Sequence, residues 1–260
     1  MSIPKIIHYC WFGNAPKPES VIRCISSWRK YCPDYEIKEW NESNIDLTMN
    51  EYTQQAYEAK AWGFVPDYLR LWIVFNYGGI YLDTDVQVLK NFDALLDNKA
   101  FAGFEKDTGD FFNFGQGFGA EAGNKIIEQH MHLYDDLKFK LEDGSYNKML
   151  SPQYTTRILE QIGLNRRSKE IQILEEITIY PEEYFCPKSF TTGVIKRTHN
   201  SYSVHHFDSS WFTENEKKAR ELRRKAARKD YIMHTPNRWV RKLLGDNMYQ
   251  KMKSILKNEK

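Results

Sequence analysis

The segment YGGIYLDTDV, residues 77–86, places two aspartates at the end of a strongly β-forming run. Aspartate is depleted in strands, so this pattern indicates a strand that is interrupted. Side chains two positions apart in a strand point to the same side, so Asp83 and Asp85 are expected to converge from one strand end. Two such carboxylates repel each other unless a cation stabilises them, and Mg²⁺ or Mn²⁺ suits oxygen ligands of this kind. The alternative interpretation is a solvated Asp-Thr-Asp turn.

The segment before this run is predicted to be a helix over about residues 66–76. Pro66 suits its first turn, and Gly78 is well placed to end it. Asp67 and Arg70 lie three residues apart and therefore share a face, near the positive end of the helix dipole. We expect Arg70 to bind a phosphate or a sugar hydroxyl and Asp67 to accept hydrogen bonds from sugar hydroxyls. The structural alternative is an ordinary ion pair between the two.

The first 40 residues have the pattern of a strand, a helix and a second strand. IPKIIHYCWFG reads as a strand, SVIRCISSWRKYC has apolar residues at helical spacing, and YEIKEW alternates like a strand. This order predicts a βαβ unit and hence a parallel α/β sheet. Later helices are predicted near residues 125–137 and 154–162, and short strands in IQIL, ITIYP and SYSVHHF.

Charge divides the chain into an acidic body and a basic tail. Residues 213–260 contain 15 Lys or Arg and 6 Asp or Glu, a balance of +9, so the remainder, with 22 and 29, carries −7. We therefore predict a main domain over residues 1–212 and a basic helical C-terminal extension over residues 213–260. A capping box from Thr213 to Glu216 is expected to open the extension, and a second helix is expected to begin at Thr235.

Other sequence features narrow the location and the partners. No run approaches the ~18 apolar residues of a membrane span, the first residues do not read as a secretory signal, and the four cysteines have no CxxC spacing. A cytoplasmic, reduced protein without a zinc site or disulfide framework is expected. The basic tail has three interpretations: helices packed back on the domain, an oligomer contact, or peripheral contact with anionic lipid on the inner face of the cytoplasmic membrane. The acidic body and the lack of a binding motif argue against nucleic acid as a partner.

The segment FVPDYLRLWIVFNYGGIYLDTDVQVLKNF, residues 64–92, resembles the D-x-x-R … GG-x-Y-x-D-x-D signature of DXD-containing, family 32-like glycosyltransferases. These include yeast-type initiating α-mannosyltransferases, bacterial capsular polysaccharide enzymes and, distantly, the clostridial glucosylating toxins. The resemblance extends over about residues 3–95 and 178–212, the latter through HHFDSSW. It implies a GT-A type fold, which is an α/β, Rossmann-like mixed sheet flanked by helices. It also implies a nucleotide-sugar donor, a divalent metal that is usually Mn²⁺, and transfer with retention of anomeric configuration.

The resemblance also assigns roles near the nucleotide. Trp11 would stack on the base, although core packing is an alternative for this side chain, and Asn44 would lie near the uridine. Tyr81 would lie beside the diphosphate. Asp83 would contact the ribose or donor sugar and assist metal binding, while Asp85 would ligate the metal directly.

Roles are also expected for residues late in the chain. Many metal-dependent GT-A enzymes complete the metal shell with a late histidine, and we choose His205 over its neighbour His206 because Val204-His205 would end a strand. Either histidine could instead be a hydrogen-bonded core group. Ser210 and Trp211 are expected to belong to a loop that closes over the diphosphate.

The resemblance and the sequence also indicate residues of the donor-sugar and acceptor sites. The resemblance places Asp67 and Arg70 on the donor sugar, with Arg70 also near the phosphate. FFNFGQGFGAEAGN is expected to form the floor of the acceptor site, with Asn113 and Gln116 as polar groups near the anomeric carbon. We favour a front-face departure in which the metal and Arg70 stabilise the leaving diphosphate.

These observations predict a hexosyltransferase that moves a sugar from a nucleotide-sugar, expected to be UDP-linked, to a saccharide acceptor. Polysaccharide synthesis, as in bacterial capsules, or lipid-linked oligosaccharide synthesis is the expected context. Two alternatives stay open: a glycosylating effector that modifies a protein, and a non-catalytic sugar-nucleotide-binding protein. No motif distinguishes UDP-Gal, UDP-Glc, UDP-GlcNAc and GDP-Man as donors.

Overall fold

A computed structural model describes residues 2–107, 111–147, 149–208 and 214–258 of the chain. Within the last of these ranges, side chains are described for residues 215–234, 243–248 and 251. The chain divides into two compact units, one of residues 1–190 with 195–211 and the other of residues 191–194 with 212–260.

The predicted βαβ unit is present at the start of the first unit. Strand β1 (Ile6–Cys10) is followed by helix α1 (Glu19–Tyr31) and strand β2 (Glu36–Trp40). The two strands pair in parallel along their whole length. Helix α1 forms because its apolar side chains recur at helical spacing and are buried on one face.

The remaining elements of the first unit follow in chain order. They are α2 (Glu51–Glu58), α3 (Pro66–Tyr77), β3 (Gly79–Tyr81), β4 (Val86–Val88), β5 (Ala100–Gly103), β6 (Phe118–Ala120), α4 (Lys125–His132), α5 (Ser151–Gln161), β7 (Gln172–Ile173), β8 (Thr178–Tyr180), α6 (Glu182–Phe185) and β9 (Ser203–His205). Helix α4 ends sooner than predicted. Helix α5 begins earlier than predicted because Pro152 lies in its first turn, where a missing N–H is tolerated.

Seven strands form one mixed sheet in the order β2-β1-β3-β6-β5-β8-β7. The β1–β2, β1–β3 and β5–β8 pairs are parallel, whereas β3–β6, β5–β6 and β7–β8 are antiparallel. The predicted α/β class with a mixed sheet flanked by helices is therefore confirmed. Strands β4 and β9 form a separate antiparallel pair.

The sheet carries a buried apolar cluster on each face. Neighbouring residues Ile80 and Tyr81 of β3 belong to different clusters, as the alternation of a strand requires. Helix α1 contributes Trp28 to the cluster that contains Ile80, and α3 contributes Leu69 to the one that contains Tyr81. Because α3 is largely buried, its polar residues near the N-terminus are held inside the protein.

The double glycine between α3 and β3 is required by backbone geometry. Gly78 ends α3 at a φ of 64°, and Gly79 follows at a φ of 99°, where residues with a side chain are strained. A Cβ on Gly79 would lie 2.8 Å from the Ile6 carbonyl oxygen. The buried His8 imidazole, which contacts the Gly78 carbonyl at 2.9 Å, closes this corner. Burial lowers the pKa of His8 to about 4, so this histidine is neutral.

The second unit is dominated by helix α7 (Glu214–Asn258). The expected helix start at Thr235 is wrong, because the backbone stays helical through this position and Pro236. The interruption falls instead at Gly245, which adopts a φ of 74° without a Cβ penalty. The predicted cap Thr213 lies outside the described residues, and the predicted domain boundary stays a prediction. Among the described helices, none is long and apolar enough to span a membrane.

Candidate active site

A tight turn, not a strand, brings the two aspartates of the D-x-D motif together. Strand β3 ends at Tyr81, and the Val86 N–H donates to the Asp83 carbonyl oxygen over 3.0 Å, which closes a β-turn through Asp85. The expectation that strand periodicity aligns the carboxylates is therefore wrong. The turn marks the place where the chain leaves the large sheet and enters the β4–β9 pair.

Strand β9 places one of the two adjacent histidines beside this turn. In the antiparallel register, Val86 pairs with His205. His205 Nε2 lies 3.3 Å from Asp85 Oδ1, whereas His206 Nε2 lies 3.2 Å from Gln87 Oε1. His205 is therefore the histidine that faces the aspartates, as chosen from the sequence.

Asp83, Asp85 and His205 have the composition of a divalent-metal site. Each offers one ligand atom, and the three atoms lie within 4.8 Å of one another. Two carboxylate oxygens suit Mg²⁺ or Mn²⁺, and two carboxylates with one imidazole are a reasonable ligand set for Mn²⁺. The residues present therefore fit the metal that the sequence predicted.

The two aspartates differ in electrostatic surroundings. Burial opposes ionisation of Asp85, but the adjacent His205 and the Asp208 N–H outweigh it and lower the pKa of Asp85 to about 2. Burial raises the pKa of Asp83, against the effect of Arg70, and the nearby Asp85 carboxylate adds to the rise. Burial acts to lower the pKa of His205, yet the Asp85 carboxylate reverses this and raises it well above its ordinary value.

Arg70 bridges the carboxylates of α3 and of the turn. Its Nη2 lies 3.0 Å from Asp67 Oδ1, and its Nη1 lies 3.6 Å from Asp83 Oδ2. The guanidinium is buried and lies 5.4 Å from the ring centroid of Tyr81. Burial raises the pKa of Asp67 to about 6, although Arg70 opposes the shift. The ion pair expected from the helix is present, and it is joined to the D-x-D turn.

Gly115 is a site residue that the sequence reasoning missed. Its carbonyl oxygen accepts from the Asp83 N–H over 3.0 Å. A Cβ at this position would overlap Asp83 Oδ2 and would lie 2.6 Å from Arg70 Nη1. The only local signal is that Gly115 stands within the glycine-rich FFNFGQGFG stretch.

The two candidate residues of this loop are held within it. Asn113 donates through Nδ2 to Glu105 Oε1 over 2.5 Å and accepts through Oδ1 from the Gly115 N–H over 2.7 Å. Gln116 is fully buried, and its Nε2 donates to the Gly103 carbonyl over 2.5 Å. Its Oε1 is buried with no hydrogen-bond partner. Glu105 is a second residue for which sequence reasoning gave no role.

Trp11 follows β1 and is partly buried, with its indole Nε1 donating to the Ala15 carbonyl over 2.8 Å. The ammonium of Lys17 lies 5.7 Å from its ring centroid. Tyr81, expected beside the diphosphate, is 1% exposed and packs against Arg70. The role of Tyr81 as a contact of the diphosphate stays a prediction.

Asn44 is exposed in the loop after β2, and both ends of its amide are hydrogen-bonded within that loop. Oδ1 accepts from the Asn41 N–H over 2.9 Å, and Nδ2 donates to the Glu39 carbonyl over 2.9 Å. The amide therefore shapes the loop itself. Ser210 and Trp211, expected to close over the donor, lie outside the described residues.

Residues 18–102 match the family profile described as "Glycosyltransferase sugar-binding region containing DXD motif". This stretch includes α1, the Asp67–Arg70 pair and the D-x-D turn. The predicted resemblance to DXD-containing glycosyltransferases is thereby confirmed.

Named relatives match part of the chain. Inositol phosphoceramide mannosyltransferase 3 of Schizosaccharomyces pombe is 32% identical over 103 residues, which are 36% of this chain and 28% of that protein. Subversion of eukaryotic traffic protein A of Legionella pneumophila is 28% identical over 111 residues, which are 32% of this chain and 17% of that protein. The chain thus spans less than a third of the length of either relative.

One solved structure supports the fold. The PaToxG glycosyltransferase superposes with a TM-score of 0.50 at 22% identity, covering 62% of this chain and 70% of that one. At this identity the likeness concerns the fold, and the predicted GT-A class is confirmed.

Proposed function

We propose that the chain is a metal-dependent glycosyltransferase that moves a sugar from a nucleotide-sugar donor, expected to be UDP-linked, to a saccharide acceptor. The observation that carries this proposal is the D-x-D turn, where His205 meets Asp85 on one side and Arg70 meets Asp83 on the other. This turn lies within the stretch that matches the sugar-binding region.

Asp85, Asp83 and His205 are the residues that would hold Mn²⁺ or Mg²⁺. A bound ion would supply positive charge to the diphosphate of the donor. Asp85 Oδ2 is already held by the Asp208 N–H at 2.8 Å, which leaves Oδ1 turned toward His205. The protein thus orients this carboxylate before any ion binds, as a preorganised ligand requires.

Arg70 and Asp67 would bind the donor on the other side of the turn. Arg70 is buried between two carboxylates, so its charge acts in surroundings of low dielectric, where it stabilises a developing anion most strongly. Asp67 is fixed by Arg70 and faces the Tyr52 hydroxyl at 3.5 Å, so it can accept hydrogen bonds from sugar hydroxyls without reorganising.

Transfer with retention follows from our assignment of a front-face departure. In this reaction the oxygen of the acceptor hydroxyl bonds to the anomeric carbon on the face where the bond to the diphosphate breaks. The hydroxyl proton passes to the departing diphosphate, and Arg70 stabilises this leaving group. We assign no nucleophile. Gln116, whose buried Oε1 has no hydrogen-bond partner, is the proposed polar group near the anomeric carbon.

The direct test is a screen of donor hydrolysis with UDP-Gal, UDP-Glc, UDP-GlcNAc and GDP-Man. Release of the nucleotide measures the turnover of each donor. We expect turnover with at least one donor, dependence on Mn²⁺ or Mg²⁺, and loss in EDTA. NMR of the transferred sugar then reports its anomeric configuration. Nucleotide-sugar binding without turnover would favour a non-catalytic binding protein, and activity unaffected by EDTA would exclude the metal.

We also propose that α7 contacts an anionic membrane surface, where a lipid-linked acceptor would be found. The segment from residue 213 carries 15 Lys or Arg against 6 Asp or Glu. Apolar side chains on the described part of α7 are also exposed, including Leu222, Ile232 and Leu243. Basic charge beside exposed apolar groups is typical of helices that lie at a lipid surface.

Vesicle sedimentation tests this contact with the full chain. Replacing the exposed Arg223, Arg228 and Lys229 by Gln is expected to weaken binding to phosphatidylglycerol vesicles and to leave the little binding to neutral vesicles unchanged. The matched control replaces three exposed lysines of the first unit, Lys30, Lys60 and Lys125. Equal binding by both variants and the wild type would exclude α7 as the contact.

A further inference from the structure

A buried carboxylate stands behind the candidate metal-binding histidine. Glu105 Oε1 lies 3.7 Å from His205 Nδ1, while His205 Nε2 lies 3.3 Å from Asp85 Oδ1. The Glu105 side chain is only 9% exposed. The two nitrogens of one imidazole therefore face two different carboxylates.

His205 Nδ1 is itself buried and has no hydrogen-bond partner. Most buried polar side-chain atoms have a hydrogen-bond partner, so a group that accepts from or donates to this nitrogen is expected. Two further groups interact with the ring: the Phe207 ring, at a centroid distance of 4.3 Å, and the Cys186 thiol. A thiol is a weak hydrogen-bonding group, whereas the Glu105 carboxylate is a strong acceptor.

Glu105 is also connected to the opposite side of the D-x-D turn. Asn113 donates to Glu105 and accepts from the Gly115 N–H, and the Gly115 carbonyl accepts from the Asp83 N–H. A hydrogen-bond chain therefore leads from Asp83 to Glu105, whose carboxylate faces the ring of His205. The position of Glu105 is fixed by the same loop that fixes Asp83.

We propose that Glu105 is a positioning residue that accepts the Nδ1–H of His205 and thereby leaves the Nε2 lone pair available to an ion that Asp83 and Asp85 would hold. This inference rests on the proposed metal-dependent function. Histidines that ligate metals commonly donate their other ring N–H to a carboxylate, which fixes the tautomer and the ring orientation. The 3.7 Å separation needs to shorten by less than about 1 Å to reach hydrogen-bond length.

The first test is Mn²⁺ binding, measured by titration calorimetry or by the EPR signal of free Mn²⁺. Glu105→Gln keeps the size of the side chain but is a poorer acceptor, and we expect affinity to fall about 10- to 100-fold. Glu182→Gln is the matched control, because Glu182 pairs with the neighbouring Lys106 at 2.7 Å and lies outside the chain of contacts just described. We expect its Mn²⁺ affinity to equal that of the wild type.

A second readout reports on the imidazole itself. Nitrogen-15 NMR of histidine-labelled protein with diamagnetic Cd²⁺ is expected to show His205 as the Nδ1–H tautomer in the wild type. In Glu105→Gln, we expect this signal to broaden or shift toward a mixture. A general loss of stability would not move this signal selectively.

The outcomes separate this inference from the proposed function. If Asp85→Asn loses Mn²⁺ binding while Glu105→Gln binds Mn²⁺ and keeps the tautomer as in the wild type, the role of Glu105 is overturned and the metal site stands. If neither variant changes Mn²⁺ binding, the metal site fails, and the role of Glu105 fails with it. Should Glu105→Gln not fold, Asn113→Ala, which releases Glu105 without changing its charge, gives the same comparison.

Discussion

Asp83 and Asp85 are two residues apart, yet they belong to opposite sides of the site. On the Arg70 side, formed by Asp67, Arg70 and Asp83, one buried cation serves two carboxylates, and burial raises the pKa of both carboxyls. On the His205 side, formed by Asp85, His205 and Glu105, the imidazole and a backbone N–H lower the pKa of Asp85 to about 2. From this difference we infer that Asp85 contributes more to ion binding than Asp83, which also faces Arg70.

The two sides are also built by different parts of the fold. The Arg70 side comes from α3, which belongs to one face of the large sheet. On the His205 side, the histidine comes from the β4–β9 pair, which lies outside that sheet, whereas Glu105 follows β5. The turn that carries both aspartates is therefore the junction of two supports, which the loop of Asn113 and Gly115 also links.

The largest effect is expected from Asp85→Asn, which removes a charged carboxylate from the His205 side. The variant loses the carboxylate that faces His205, and we expect kcat/KM for donor turnover to fall by at least about 10³-fold. Asp143→Asn, at an exposed turn where Asp143 accepts from Ser145, is the control. Wild-type turnover in a folded Asp85→Asn protein would contradict the assignment.

Arg70→Lys breaks the Arg70 side and is expected to lower kcat by about 10²- to 10³-fold. An ammonium cannot reproduce the planar fork that reaches Asp67 and Asp83 together. Arg23→Lys, in the exposed pair with Glu19, should leave kcat unchanged. Steady-state kinetics on both variants make this comparison, and equal kcat values would remove Arg70 from the reaction.

The pH dependence of the free energy of unfolding tests the surroundings of Asp67 on the Arg70 side. The pKa of Asp67 is about 6 in the folded chain against an ordinary value of 3.8, so the folded state binds more protons between these pH values. The free energy of unfolding should therefore fall as the pH rises from about 4 to about 6, by about 3 kcal/mol. Below pH 4 both states are protonated and the penalty is absent.

Urea unfolding across this pH range measures the Asp67 contribution, with Asp67→Asn as the comparison. The amide does not ionise, so the variant should lack this part of the pH dependence. Identical pH profiles for the two proteins would show that Asp67 titrates normally.

Gly115→Ala is expected to have the smallest effect. The added methyl would press on Asp83 and on Arg70 Nη1, and overpacking of this kind costs about 1–3 kcal/mol. We expect a lower melting temperature and about tenfold lower turnover. Gly144→Ala meets no atom within 4 Å but has a φ of 79°, so it measures backbone strain alone. If Gly144→Ala reduces turnover as much as Gly115→Ala, the loop does not act through Asp83.

The sequence predicted those features that depend on neighbouring residues in the chain. Helical spacing and Pro66 gave α3 almost to its ends, and the three-residue separation of Asp67 and Arg70 gave their ion pair. The parallel start of the sheet followed from the strand-helix-strand order. Strand β9 brings His205, the histidine expected to face the turn, beside Asp85, whereas its neighbour His206 contacts Gln87.

Long-range contacts account for what was missed. Gly115 meets Asp83, and Glu105 meets His205, only after distant segments of the chain have been brought together. No periodicity within either segment signals the partner. The turn at the D-x-D motif was missed for a related reason. After this turn the chain forms β4, which pairs with β9, a strand that comes much later in the sequence.

The most direct test of the difference between the two aspartates is Mn²⁺ titration of the wild type, Asp83→Asn and Asp85→Asn under identical conditions. We predict that both variants bind Mn²⁺ more weakly, and that Asp85→Asn loses more than about 100-fold while Asp83→Asn loses less. Unchanged affinity in Asp85→Asn, or a larger loss in Asp83→Asn, would contradict the account.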